Sequence, residues 1–318
     1  MRLSCPLASF AAEDPGGWSP VLARAALFDR AGVDRVLVSD HVVFGEALDE
    51  YARPELGGQA GGKQPTGPDG HWLEPLTLLS VIAGRTARIR LCTNILLAAL
   101  RRPAVLAKSA ATLDVLSEGR LDLGVGVGWQ QAEYDAAGLP FADRGRLLDH
   151  TLDVCQTLWT QRRASFSSAE LTFANIHSMP KPVQPGGVPI WVSGTVNKRV
   201  VARLARYGCR WIPWGPSAAQ LGESINRLRG ELAAVGADPE SLRVFGSLPV
   251  HHAAGGSVDI ERTMAAVPDL AAIGVTEVTA RFPLPDDDQA AEEILRPIVQ
   301  AFRSAAPSDH GRRVSGSP

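Results

Sequence analysis

Short apolar runs rich in β-branched residues alternate with longer segments of helical period almost from one end of the chain to the other. Eight such runs are readable: Leu3–Ser9, Arg35–Asp40, Ile89–Leu96, Leu121–Val127, Pro189–Ser193, Cys209–Pro213, Arg243–Val250 and Thr276–Arg281. Eight β-then-α units close into a (β/α)8 barrel, whereas a doubly wound sheet usually stops at about five to seven strands. The expected fold is therefore an α/β TIM barrel with insertions, occupying residues 1–303 as one domain. A chain of 318 residues suits one barrel of roughly 250 residues plus insertions. The small polar residues from Ser304 to Pro318 read as a disordered tail.

Helix ends punctuate the pattern. Ser19-Pro20 reads as an N-cap followed by proline, with Val21, Leu22, Ala25 and Phe28 as the buried face and Gly32 as the stop. Gly119 and Gly208 end the segments containing Leu106, Leu113 and Leu116, and Val200, Val201 and Leu204, in the same way. Two stretches break the rhythm. Gly45–Trp72 is a Gly/Pro-rich loop well beyond the ~15 residues at which loops become functional or mobile, and Ser165–Gly187 is a second insertion containing the run Met179-Pro180-Lys181-Pro182.

Composition excludes several function classes. Thirty-two basic residues against thirty-four acidic ones give a net charge of −2. Lysine occurs only at positions 63, 108, 181 and 198, and no basic block offers a footprint for nucleic acid. Cys5, Cys92, Cys155 and Cys209 are widely spaced without a CxxC pair, which suggests reduced, buried thiols rather than a metal or disulfide framework. Residues 1–10 lack the regions of a secretory signal, and no run approaches the ~18 apolar residues of a membrane span. A cytoplasmic protein with no membrane partner is expected.

In a (β/α)8 barrel the ligand site lies at the C-terminal ends of the strands. The second strand ends in Asp40-His41, an acid beside an imidazole. Such a pair can move protons near neutral pH or anchor a polar cofactor; a helix cap followed by an ordinary loop histidine is the alternative. Thr93 and Asn94 close the third strand as polar residues able to bond a ligand or loop backbone. Gly124, Gly126 and Gly128 alternate with Val125, Val127 and Trp129, leaving one face of the fourth strand bare. That bareness suits close approach of another backbone or a flat ligand, or simply relieves crowding at the mouth. Trp129 stands where a GxGxxG fingerprint would need glycine, so a Rossmann reading is poorly supported. Ser193-Gly194-Thr195 ends the fifth strand at a helix start, an arrangement that binds phosphate or merely caps. His251-His252 ends the seventh strand, without the spacing of common metallohydrolases; the expected metal set is none.

The stretches Val38-Ser39-Asp40-His41-Val42-Val43-Phe44, Thr93-Asn94-Ile95-Leu96-Leu97 and Gly124-Val125-Gly126-Val127-Gly128-Trp129-Gln130-Gln131-Ala132-Glu133-Tyr134 together resemble the luciferase-like monooxygenase superfamily. So do residues 144–149, Pro180-Lys181-Pro182-Val183-Gln184 and Ile190-Trp191-Val192-Ser193-Gly194. The likeness spans about residues 1 to 300 and looks most like the branch assigned to the deazaflavin coenzyme F420. The resemblance implies that His41, with Asp40, faces the coenzyme ring as the catalytic pair. It implies a bulged, non-prolyl cis peptide at Asn94-Ile95 behind the ring. Gly126, Val127, Gly128 and Trp129 would line the ring edge, and Ser193, Gly194 and Thr195 would form the phosphate turn. One branch carries a catalytic glutamate where this chain has Trp129, and Glu133 lies a helical turn further on, so that acid is not assumed. The resemblance implies an F420-dependent oxidoreductase acting on a small organic substrate, with Gly45–Trp72 and Ser165–Gly187 in the substrate lid. A separate flavin or F420 reductase as hydride source and a homodimer are further implications. The alternatives are an FMN-dependent two-component monooxygenase and a catalytically silent coenzyme-binding barrel.

Overall fold

Parallel strands whose inner faces stack in layers give the architecture. The computed structural model describes residues 1–307. The strands are β1 (Arg2–Pro6), β2 (Arg35–Val38), β3 (Arg90–Leu96), β4 (Leu121–Val125), β5 (Ile190–Gly194), β6 (Arg210–Pro213), β7 (Arg243–Ser247) and β8 (Glu277–Thr279). Each pairs in parallel with the next, and β8 pairs with β1, closing a luciferase-like TIM barrel of the expected class. Outside it lie α1 (Ser19–Ala31), α2 (Pro75–Ala83), α3 (Pro103–Leu116), α4 (Arg144–Thr160), α5 (Lys198–Tyr207), α6 (Leu221–Ala234), α7 (Ala266–Ala272) and α8 (Asp288–Ala305). Among the described residues, no helix is long and apolar enough to cross a membrane.

Gly32 and Gly208 close α1 and α5 in the left-handed region at φ 89° and 108°, which glycine adopts without a Cβ clash. Ser19 is the first residue of α1 rather than its cap, which is Trp18. Ser304 and Ala305, expected in the tail, continue α8; the tail from 308 lies outside the described residues. All four cysteines are free and buried, and burial pushes the Cys5 and Cys92 thiols up to about 12.

Alternation and register stack the interior. The lowest layer, from even-numbered strands, is ionic: Arg35, Asp122, Arg210 and Glu277. Above it the odd strands place Ser4, Cys92, Trp191 and Phe245. The even strands then supply Leu37, Gly124, Ile212 and Thr279. Leu37, Cys92, Trp191, Ile212 and Phe245 form one continuous apolar cluster. Arg35 donates to Asp122 at 2.9 Å and to Glu277 at 2.5 Å, while Arg90 reaches Asp122 at 2.8 Å. The Arg35 guanidinium also lies 5.2 Å from the Trp191 ring centre and 5.4 Å from that of Phe245. A cation sealed in this way needs every partner it has.

Residues 161–189 link the end of α4 to the start of β5, and such connections belong to the N-terminal end of a barrel. Within them, Ala164–Ser167 and Thr172–Ile176 pair as an antiparallel hairpin that runs back along α4, with Phe166 against His150 at 5.6 Å. The Pro-rich end is tied beneath β4, where Gln184 donates to Asp114 and to the Leu121 carbonyl, each at 2.7 Å. Lys181 donates to the Leu158 and Gln161 carbonyls at 2.5 and 2.6 Å. The expected place of Ser165–Gly187 in the substrate lid is therefore corrected for its Pro-rich end. The segment follows a helix, not a barrel strand, and its Pro-rich part packs at the barrel's lower end, whereas the hairpin tip climbs beside α4 to that helix's first turn, where Glu170 pairs with Arg146.

Burial acts to raise the Asp122 carboxyl, but Arg35 and Arg90 outweigh it and hold it below the ordinary carboxylate value. Its folded value thus lies under an unfolded one of about 3.9, so its stabilising contribution is present above about pH 4 and is lost as pH falls through the folded value. Asp122→Ala leaves Arg35 short of a partner and is expected to lower unfolding free energy by about 3–5 kcal/mol, read as a shift of the urea midpoint. In Asp122→Asn, the stability gap to wild type should narrow as pH falls from about 5 to about 2. A constant gap would show that the carboxylate's charge is not what holds the layer.

Candidate active site

The upper end of the barrel is shaped by β3 and β4. The Asn94–Ile95 peptide is cis, and the β3–β4 register shifts between Thr93 and Leu96. The bare face of β4 fits against this bulge. A Cβ on Gly124 would stand 2.1 Å from the Thr93 carbonyl oxygen, one on Gly126 would stand 2.8 Å from Ile95 Cδ1, and one on Gly128 would stand 2.8 Å from Leu97 Cδ2. Approach of another backbone, one of the reasons read from the alternating glycines, is thus met at Gly124, while the side chains of Ile95 and Leu97 fill the space beside Gly126 and Gly128.

Asp40 and His41 follow β2 but turn to different partners. The Asp40 side chain is 1% exposed and takes both guanidinium branches of Arg101, at 2.6 and 3.0 Å, together with the Leu97 N–H at 2.8 Å. Arg101 also reaches Glu74, whose second oxygen caps α2 by accepting from Thr77 at 2.7 Å. Burial opposes the charge on Glu74, but the Thr77 N–H and Arg101 hold its carboxyl below the ordinary value. Asp40 is thereby the strut between the end of β2 and the loop after β3.

The carboxylate beside His41 is Glu133, not Asp40. His41 Nδ1 lies 3.3 Å from Glu133 Oε2, with side-chain exposures of 11% and 0%. Glu133 Oε1 accepts the Val42 N–H at 2.8 Å. Aromatic rings enclose the imidazole: Phe44 at 4.3 Å, Trp72 at 4.8 Å and Trp129 at 6.2 Å between ring centres. Trp72 arrives on the short strand His71–Trp72, which pairs with Phe10–Ala11 and stacks Phe10 on the indole at 4.2 Å.

Residues 45–72 lie over this mouth. Tyr51 meets Trp129 at 5.4 Å and Trp214 at 6.3 Å, and Trp214 Nε1 donates to the Gly57 and Gly58 carbonyls at 3.0 and 3.2 Å. Gly57, at φ 103°, sits so close to the Gly128 carbonyl that a Cβ would stand 2.9 Å from its oxygen. Gly45 N–H donates to Gln130 Oε1. Burial pushes the Tyr51 phenol above its ordinary value, which keeps it protonated.

Ser193, Gly194 and Thr195 finish β5 on the other side. Gly194 accepts from Trp211 Nε1 at 2.9 Å and Thr195 donates to the Trp214 carbonyl at 3.2 Å. The sequence reading offered free N–H groups here for an anion or a plain cap; at Arg199 and Val200 the N–H groups are capped, both donating to Asn197 Oδ1. A shallow cavity of about 230 Å³ opens beside this turn, lined by Thr195, Ser217, Gln220, Ser224 and Arg227 among others. Trp129, Tyr51 and Trp214 link the two halves of the expected residue set. Of the residues that sequence reasoning missed, Glu133 sits one helical turn after Trp129. Trp214 directly follows β6, the strand-end position that flagged the others. Arg101 and Tyr51 carry no local signal.

A closed parallel barrel with a buried imidazole–carboxylate pair at its C-terminal mouth defines a TIM-barrel enzyme class. Within it, the chain belongs to the luciferase-like monooxygenase family, whose model matches residues 2–312. The chain is 34% identical over 224 residues to the uncharacterized protein Rv0953c of Mycobacterium tuberculosis strain H37Rv, covering 70% of this chain and 74% of that protein. An F420-dependent secondary alcohol dehydrogenase, solved with an F420–acetone adduct, superposes with TM-score 0.69 at 16% identity, covering 95% of this chain and 99% of the other. A type II Baeyer–Villiger enzyme, the oxygenating constituent of 3,6-diketocamphane monooxygenase from the CAM plasmid of Pseudomonas putida in complex with FMN, superposes with TM-score 0.70 at 15% identity, covering 96% and 99%. At these identities the likeness is one of fold.

The Asp40 strut yields a test. Asp40→Ala removes three charge-assisted bonds and is expected to destabilise the protein by about 2–3 kcal/mol, read by chemical denaturation. A loss below about 0.5 kcal/mol would remove Asp40 from that role.

Proposed function

We propose that the protein is an F420-dependent oxidoreductase that transfers a hydride between the deazaflavin and a small organic substrate. The observation that carries the reading is His41, held against a buried carboxylate inside an aromatic enclosure at the barrel mouth. Hydride transfer to or from a C–O bond needs a matched proton movement, and His41 is the group placed to give or take that proton.

The residues present suit such a coenzyme. Trp129 Nε1 and Gln130 Nε2 are buried donors without a protein partner, and the Trp129 ring lies 6.2 Å from that of His41. Because Gln130 Oε1 already accepts from Gly45, the free end of its amide is the donor. These two groups would hold carbonyl or hydroxyl oxygens of a flat polar ring. Arg227 and the hydroxyls of Thr195, Ser217 and Ser224 would hold its anionic tail. The lean toward F420 over FMN rests on the absence of an arginine within residues 124–129. When bound, the deazaflavin supplies hydride chemistry, while the chain orients the reactants and excludes water. The lid at 45–72, with Tyr51 and Trp72, performs that exclusion.

In this reading the enzyme works in the cytoplasm and receives reduced coenzyme from a separate F420 or flavin reductase. It pairs with a second copy through the α2–α3 side, where Val81, Val105 and Leu116 are exposed. Titration with F420 and FMN, each oxidised and reduced, followed by fluorescence quenching and thermal shift, tests the assignment. Tight binding of F420 alone is expected. Preference for FMN would move the reading to two-component monooxygenation, and binding of neither would leave a silent barrel. His41→Ala is expected to lower turnover about 10²–10⁴-fold while the melting temperature moves by only a few degrees. Wild-type rates would take His41 out of the mechanism.

A further inference from the structure

We infer that Glu133 is a positioning residue that dictates which nitrogen of His41 carries the ring proton, and so presents Nε2 to the mouth as a proton acceptor. The inference rests on the reading of His41 as the proton-moving group, but it concerns the ring itself and stands or falls without coenzyme.

The two oxygens of Glu133 have different tasks. Oε1 accepts the Val42 N–H at 2.8 Å, from the residue directly after His41, which locks the carboxylate to the backbone that carries the imidazole. Oε2 then faces Nδ1 at 3.3 Å, and the Glu133 side chain is fully buried. Both facing atoms are sealed from solvent and have no hydrogen-bond partner, so at 3.3 Å they are within ion-pair reach of each other without the alignment of a formed hydrogen bond. A carboxylate can only accept, so the tautomer that satisfies both orphaned atoms is the one in which Nδ1 carries the proton and donates it to Oε2. In the neutral ring the lone pair falls on Nε2, and a substrate meets a group ready to take a proton rather than give one.

The surroundings reinforce the assignment. The other groups packed on the imidazole are the uncharged rings of Phe44, Trp72 and Trp129. The neighbouring acid, Asp40, is committed to Arg101 and the Leu97 N–H and offers His41 nothing. Among the described residues, Glu133 is the charged group within ion-pair reach of His41.

Glu133→Gln makes the idea testable by reversal. If the new amide keeps its oxygen on the Val42 N–H, its NH2 is left facing Nδ1, which must then accept, and the ring proton moves to Nε2. The experiment is ¹⁵N NMR of ring-labelled histidine in the full-length protein without coenzyme, with His41→Asn assigning the signals. Wild type should show Nδ1 protonated and Nε2 bare above the ring's titration, and Glu133→Gln should exchange the two nitrogen shifts while the Val42 amide signal stays in place. An Nε2-protonated ring in wild type overturns the inference, and that measurement needs no variant to fold. Unchanged ring shifts in a folded Glu133→Gln overturn it as well. Exchanged shifts in a protein that fails to bind F420 would uphold the role of Glu133 and sink only the coenzyme assignment.

Discussion

Arg35 is a full charge in the middle of a barrel, and the interior around it is arranged to keep that charge. A guanidinium so placed is tolerable only with its donors satisfied, and losing one partner is costlier than never having had the pair. Asp122 and Glu277 sit opposite it on β4 and β8, reachable only if the even-numbered strands hold one register. Sliding a strand by one residue would turn its inner set outward and leave the cation alone. The ionic layer therefore acts as a register lock at the lower end. The apolar layers of Cys92, Trp191, Phe245, Leu37 and Ile212 stack on a height it has set.

That height decides what reaches the mouth. With Gly124 in the third layer, β4 has no side chain to keep β3 away, and the Thr93 carbonyl moves into the space. The β3 bulge follows, and it delivers the Leu97 N–H to Asp40. Asp40 in turn fixes the chain that places His41. The imidazole owes its position to a sequence of contacts that begins with glycine on a neighbouring strand, several residues below any reacting atom.

The barrel was legible because each strand repeats the same signal. Arg35, Leu121 and Cys209 begin short apolar runs that follow the helix stops Gly32, Gly119 and Gly208, and each run holds a strand. The predicted runs overshoot at their C-terminal ends: β4 stops at Val125, not Val127, and β7 at Ser247, not Val250. Apolar residues continue past the last ladder bond there because they wall the mouth, and composition does not distinguish that burial from pairing. His41, Asn94 and Thr195 were readable as strand-end polar residues. The pairing of Glu133 with His41, rather than Asp40 with His41, was not. Sequence adjacency favours Asp40, while the choice depends on Arg101, 61 positions away, claiming that carboxylate first. The lower placement of the Pro-rich residues 179–187 could have been read from order alone, since they lead directly into a strand, while the climb of the hairpin beside α4 carried no such signal.

Residues 45–72 and the His41–Glu133 pair are not independent parts. Trp129 touches His41 on one side and Tyr51 of the lid on the other, and Trp214 ties the lid's glycine carbonyls to the end of β6. Lifting residues 45–72 must break both connections and expose the imidazole edge to water. The attraction between a carboxylate and an imidazole N–H is stronger in a dry site than in water, because the field between the groups is less screened. In the proposed reading, opening this loop to admit a ligand would weaken that attraction and closure would restore it. Ring-proton direction and loop position would then be coupled through two indoles and a phenol. That coupling would give Tyr51 and Trp72 their task at the points where a loop so rich in glycine and proline touches the barrel.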